Sequence, residues 1–154
     1  MPKISLIYTL FIVEVLFMNA DAKSRLTQEV KTMSRCFPQF KLFEGDGSYS
    51  FAPRGTSFWG GRIQTNFNTE YSLAVVYPPN YPHGAIKAYV LELMNEATPH
   101  KYCDGHLCLY SNDHGGGGEG IGEGTTAATI TAWAAAWLNA WEVYKRSGTW
   151  PGRQ

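Results

Sequence analysis

The chain has 154 residues, thirteen lysines and arginines against thirteen aspartates and glutamates, and a formal net charge of zero. That length suits one globular domain with a substantial core, and the balanced charge excludes the basic footprint of a nucleic-acid binder. Five tryptophans, nine tyrosines and eight phenylalanines exclude a disordered chain.

At the amino end, Lys3, the apolar run Ile4 to Phe17 and Ala20-Asp21-Ala22 imitate a secretory signal with an A-x-A cleavage site. Glu14 lies inside the run, where an acid costs about 2.5–3.5 kcal/mol on insertion scales, and the run is short for a spanning helix. Translation from Met18 is a second reading, and an anchor or extra packed helix a third. The three cysteines, Cys36, Cys103 and Cys108, form no even disulfide framework, which fits a reducing compartment. The expectation is a cytoplasmic protein with no membrane partner, residues 1–22 being an apolar extension or start-site artefact and residues 23–154 the domain.

Leu26, Val30, Met33 and Phe37 fall at helical spacings within Lys23 to Phe37, and Pro38 ends that first helix. Phe40 to Phe43 is a short strand candidate, followed by the turn-rich Glu44 to Ser48. Phe58 to Phe67 and Glu70 to Tyr77 read as two strands joined at Asn68-Thr69. Ile86 to Leu93 reads as a fourth strand whose buried face the alternation leaves open. Gly115 to Gly124 is a glycine-rich loop, expected to form a mobile flap beside Cys108. It lacks the Lys-Ser/Thr pair of a phosphate-binding loop, so no nucleotide or other cofactor is expected. The last helix runs from Ala132 to about Arg146, capped by Thr129 or Thr131 and ended by Gly148. Trp133, Trp137 and Trp141 recur every fourth residue, giving a core-facing stripe widened by Leu138 and Tyr144.

The chemistry concentrates in H-K-Y-C-D-G-H-L-C-L-Y, His100 to Tyr110. A cysteine on a polar, glycine-flanked turn can ionise, and only the thiolate is a good nucleophile. Gly105 permits such a turn, and His100 and His106 lie close enough in sequence to support a Cys108 thiolate. Two other readings stand beside this one. Leu107 and Leu109 also suit a buried strand cysteine, and His100, Cys103, His106 and Cys108 are all zinc-ligand types. Their H-x2-C-x2-H-x-C spacing matches no standard structural-zinc pattern, so no metal is expected. Asp104, Asp113 and His114 are general-base candidates or turn formers. Cys36, beside Phe37, is expected to pack.

The order of parts resembles a ubiquitin-conjugating enzyme: a strand running into P-x-x-Y-P (Pro78 to Pro82), another strand, a histidine (His100), then G-x-x-C-L (Gly105 to Leu109). That family's H-P-N signature is H-K-Y here. Only seven residues separate His100 from Cys108, and the glycine loop replaces the tryptophan that follows the cysteine in eukaryotic members. The ending resembles the bacterial ubiquitin-conjugating-enzyme-like proteins of type II CBASS antiphage defence operons. The matching residues are Leu107 to Tyr110, Thr129, Trp133, Trp137-Leu138, Trp141-Glu142, Gly148 and Trp150-Pro151. The likeness covers about Leu26 to Pro151. It implies an α+β fold: an N-terminal helix, a four-stranded antiparallel meander, the cysteine loop and a C-terminal helix.

It further implies that Cys108 is the catalytic acyl carrier, with His100 supporting its loop and His106 supporting the thiolate. The implied partner is the C-terminus of a cGAS-like cyclic-oligonucleotide synthase, or of a ubiquitin-like protein, served where needed by a separate activating enzyme. A non-catalytic interaction module of the same fold and a cysteine isopeptidase are the alternatives.

Overall fold

Apolar residues three and four apart draw the first helix onto the sheet. In a computed structural model that describes residues 20–109 and 125–152, α1 spans Ala20–Cys36 and buries Leu26, Glu29 and Met33. It opens before the expected Lys23 and ends one residue before Phe37, whose N–H still donates to the Met33 carbonyl at 2.8 Å. Cys36 is exposed at that end. It does not pack as expected, because the apolar stripe leaves the helix through Met33 and Phe37.

Four strands follow as an antiparallel meander in the order β1-β2-β3-β4: β1 Lys41–Glu44, β2 Ser57–Gln64, β3 Glu70–Val76 and β4 Lys87–Val90. The first strand lies one residue later than its predicted span because the Phe40 ring turns into the core. Phe40 sits directly over Gly61, where an added Cβ would come within 2.7 Å of the ring. The β2–β3 hairpin closes through Asn68, whose φ of 61° is tolerated by asparagine better than by most residues.

The fourth strand is shorter than the predicted Ile86 to Leu93, since Leu91–Leu93 is a turn of 3-10 helix. Glu92 explains the break. Its carboxylate turns back to accept the Ser72 N–H at 2.9 Å, taking a donor that a longer β4 would use. The burial sides that the alternation left open are now assigned: Ala88 and Val90 join the helix-side core, and Tyr89 joins the cluster on the other face.

The C-terminal helix α2 spans Ala127–Ser147. It starts earlier than expected because Thr126 is the cap, its hydroxyl accepting the Thr129 N–H at 3.1 Å. Thr131, an expected cap, is buried and donates to the Ala127 carbonyl at 2.7 Å. Gly148 ends the helix at φ 74°, as predicted. Trp133 is 37 % exposed, a correction to the three-tryptophan stripe. Four residues overshoot a turn by about 40°, so the buried line follows Ile130, Ala134, Trp137, Leu138 and Trp141 and leaves Trp133 at its margin.

Both helices cover one face of the sheet, where Leu73, Val75, Ala88, Val90, Ile130 and Leu138 form the centre of the core. The opposite face is closed by Phe51 and Ala52 over Ala74, Val76 and Tyr89. Glu29, buried in α1, links the layers: its carboxylate accepts the Tyr77 hydroxyl and the Ala127 N–H, each at 2.8 Å. Among the described residues, no helix is long and apolar enough to cross a membrane. The predicted glycine flap, with Asp113 and His114, lies outside the described residues.

Candidate active site

The segment from His100 to Cys108 folds back on itself as a small hairpin. Cys108 donates its N–H to the His100 carbonyl at 2.8 Å, Lys101 bridges Leu107, and Tyr102 donates its N–H to the His106 carbonyl at 2.9 Å. Gly105 closes the tip, its N–H donating to the Tyr102 carbonyl at 2.9 Å. The returning arm adds to the outer edge of β4: Leu107 donates to the Ala88 carbonyl at 2.9 Å, and Tyr89 bridges His106. Leu107 is buried, whereas Cys108 is half-buried. Alternation along an extended segment turns neighbouring side chains to opposite sides, which separates Cys108 from its leucine neighbour.

Tyr102 is the side chain at the sulfur. The Cys108 thiol donates to its hydroxyl at 3.8 Å. The Tyr102 ring stacks on His106 with centroids 4.2 Å apart and planes 19° from parallel. His106 in turn donates from Nδ1 to Asp104, whose same oxygen accepts the His106 backbone N–H at 3.1 Å. Burial lowers the His106 pKa below the usual imidazole value, against the pull of Asp104 and with some help from Lys87. A neutral ring at pH 7 acts by hydrogen bonding and stacking rather than by positive charge. Burial works to raise the Asp104 pKa, but hydrogen bonds from the His106 backbone and ring, with Lys87 at 3.5 Å, bring it below the ordinary carboxylate value.

His100 contributes through its backbone. At φ 55° it holds a left-handed conformation uncommon outside glycine, and its carbonyl accepts both Cys108 N–H and Trp137 Nε1–H, the latter at 3.0 Å. Its ring lies against Trp150, centroids 4.8 Å apart, and Trp150 also meets Trp137 at 5.2 Å. The Lys101 ammonium donates to the carbonyls of Leu93, at 2.5 Å, and of Glu96, tying the hairpin to the 3-10 turn. Cys103 is exposed at the tip. Among the described residues, no three His, Cys, Asp or Glu side chains assemble into a group that could hold a metal ion.

A family model for the type II CBASS E2 protein matches residues 29–154. The chain belongs to that family. No curated protein and no solved structure matches it. The match begins inside α1 and takes in the sheet, the cysteine hairpin and α2, so this CBASS-associated E2-like protein carries its family character in the elements just described.

Two residues around the Cys108 hairpin had no assigned role on sequence grounds. Tyr102 stood out only as a departure from H-P-N, and the signal that finds it is hairpin register: pairing 102 with 106 places it on the arm that faces the cysteine's. Trp150 was part of a terminal motif, and its role as the partner of His100 depends on how the chain leaves α2.

Gly105 makes the hairpin tip testable. At φ 95° a side chain is strained, and a Cβ would lie 2.8 Å from Met94 Cε. Gly105→Ala is expected to lose about 1–3 kcal/mol of stability and to change the rate at which Cys108 is alkylated. Wild-type values for both in urea unfolding and thiol alkylation would show that the tip plays no part in setting the cysteine.

Proposed function

We propose that the protein is an acyl carrier with the ubiquitin-conjugating-enzyme-like fold. Cys108 takes the C-terminal acyl group of a partner protein as a thioester and passes it to an amine or hydroxyl. The observation that carries the reading is a half-buried cysteine held on an ordered hairpin, at its N–H by His100 and at its sulfur by Tyr102, in a chain of the type II CBASS E2 family. A thiol so placed is reachable by an extended C-terminal tail yet fixed against the fold, which is what repeated covalent transfer requires.

In the loading step the Cys108 thiolate attacks an activated carbonyl, the C–S bond forms and the activating group leaves. Where the C-terminus needs prior activation, a separate activating enzyme supplies it. In the second step an amine attacks the thioester, the C–N bond forms and the C–S electron pair returns to sulfur. His100 holds the loop that presents the thiol, and His106, fixed by Asp104, supports the thiolate's surroundings. The partner is a cGAS-like cyclic-oligonucleotide synthase of the same antiphage system, with a ubiquitin-like protein as the alternative donor. The transfer takes place in the cytoplasm.

Intact mass spectrometry of Cys108→Ser, co-expressed with the proteins of its operon, tests this. Serine converts a transient thioester into a more stable oxyester, so an adduct of a partner's mass is expected, and Cys108→Ala is expected to carry none and to lose antiphage activity. A bare serine variant together with an alanine variant of full activity would replace the carrier with a non-catalytic interaction module. Partner conjugates that accumulate when Cys108 is lost would point instead to an isopeptidase.

A further inference from the structure

We infer that the Tyr102 hydroxyl is the hydrogen-bond donor to the Cys108 sulfur whenever that sulfur carries charge, both as the attacking thiolate and as the thioester breaks. This rests on the acyl-carrier reading given above and names a catalytic group within it.

The geometry leads to Tyr102 in three steps. Its hydroxyl is 3.8 Å from Sγ, a contact in which the thiol now donates. On ionisation the sulfur can only accept, so the phenol O–H turns towards it. The ring is also held in place: its backbone N–H and carbonyl are both used by the hairpin, at 2.9 Å each, and its face is stacked on His106. Finally, His106 Nδ1 is committed to Asp104, so the imidazole serves as a platform for the phenol. Among the described residues, the charged and titratable groups around the Tyr102–Cys108 pair are His100, Lys101, Cys103, Asp104 and His106 on the loop itself and Lys87 and Tyr89 on β4, the Tyr89 hydroxyl donating to Asp104 at 3.5 Å. Lys101 is turned to the 3-10 carbonyls and Lys87 to Asp104, while α2 presents the neutral Trp137.

During transfer, the amine nitrogen forms its bond to the acyl carbon and loses its proton to water. The C–S bond breaks, and the electron pair leaves on sulfur, where the Tyr102 O–H meets it. The phenol keeps its own proton throughout. An oriented donor at a position where charge develops lowers that barrier because the site needs no reorganisation.

The test is alkylation of Cys108 in the full chain by iodoacetamide, followed at that residue by peptide mass spectrometry because Cys36 and Cys103 are exposed and react too. Tyr102→Phe keeps the ring on His106 and removes only the hydroxyl. Alkylation at pH 7 is expected to fall about tenfold, the worth of a hydrogen bond to a charged acceptor, and to converge with wild type at alkaline pH. Tyr102→Leu, which lacks the ring, should lose at least as much at pH 7. A Tyr102→Phe variant with a native circular-dichroism spectrum and a wild-type alkylation profile would overturn the inference. The Cys108→Ser adduct is read separately. An adduct with an unchanged Tyr102→Phe profile removes Tyr102 alone, and a shifted profile with no adduct removes the carrier reading while leaving the sulfur contact in place.

Discussion

Glu142→Gln is expected to lower the melting temperature by about 4–8 °C at pH 7 and to matter less and less as the pH falls towards 2. Glu142 is a carboxylate on α2 with only 1 % of its side chain exposed. It accepts the Tyr71 hydroxyl at 2.5 Å, Arg146 at 2.6 Å and Lys145 at 3.3 Å. Burial alone would raise its pKa, but these donors outweigh it and bring the value from 4.5 down to about 2. A carboxylate whose folded pKa is depressed contributes stability that is fully present above its unfolded pKa and lost as the pH falls through the folded one. For Glu142 that window runs from about 4.5 down to about 2.

The full shift would correspond to about 3 kcal/mol. Lys145 and Arg146 are 39 % and 51 % exposed, so water screens part of it, and about 2 kcal/mol is expected at neutral pH. In a domain of this size that gives the stated drop in melting temperature. Glutamine keeps the shape and removes the charge, which isolates the titration. Thermal melts of both proteins across this pH range decide the matter. A deficit that stays constant with pH would mean that lost packing, and not the charge, is responsible.

Where one physical cue dominated, the sequence was enough to read the fold. Alternating apolar residues flanking Asn68-Thr69 gave the β2–β3 hairpin, and α2 was marked by its apolar stripe and terminal glycine. Cues that depend on a distant partner were not legible. The end of β4 is set by Glu92 taking the Ser72 N–H across the sheet, and nothing in the local pattern records that bond. Thr126, Thr129 and Thr131 are chemically equivalent as caps, and the choice falls to Thr126 because Thr131 is needed inside the core.

The candidate site divides in the same way. Cys108, His100 and His106 stand out by residue type and spacing, and the bacterial E2-like resemblance picked out the same segment. What each of them touches was hidden. His100 acts through a carbonyl, which any residue owns, and its ring meets Trp150 only because α2 returns the chain end to the hairpin. Tyr102 reaches the sulfur through a register in which 102 pairs with 106, a consequence of the tight tip at Gly105.

That dependence on α2 leads to the second large effect. Trp137→Ala is expected to destabilise the protein by about 3–5 kcal/mol, the usual range for truncating a buried aromatic, because its ring is buried among Trp141, Trp150 and the sheet. Trp137→Phe is the more informative change. It keeps an aromatic ring in the core and removes the Nε1–H that reaches the His100 carbonyl at 3.0 Å, for a cost of about 1 kcal/mol. That carbonyl also receives the Cys108 N–H, so the helix and the cysteine are anchored on one oxygen. With the indole donor gone, His100 at its left-handed φ has one fewer restraint, and the hairpin can shift relative to α2. Loading of Cys108, read as the Cys108→Ser adduct in the same background, should fall several-fold in Trp137→Phe while the protein stays folded. Urea unfolding separates the two contributions. A Trp137→Phe protein that unfolds slightly earlier but loads at the wild-type level would make Trp137 a core residue only, and a loss of loading without matching instability would make α2 the scaffold of the cysteine site.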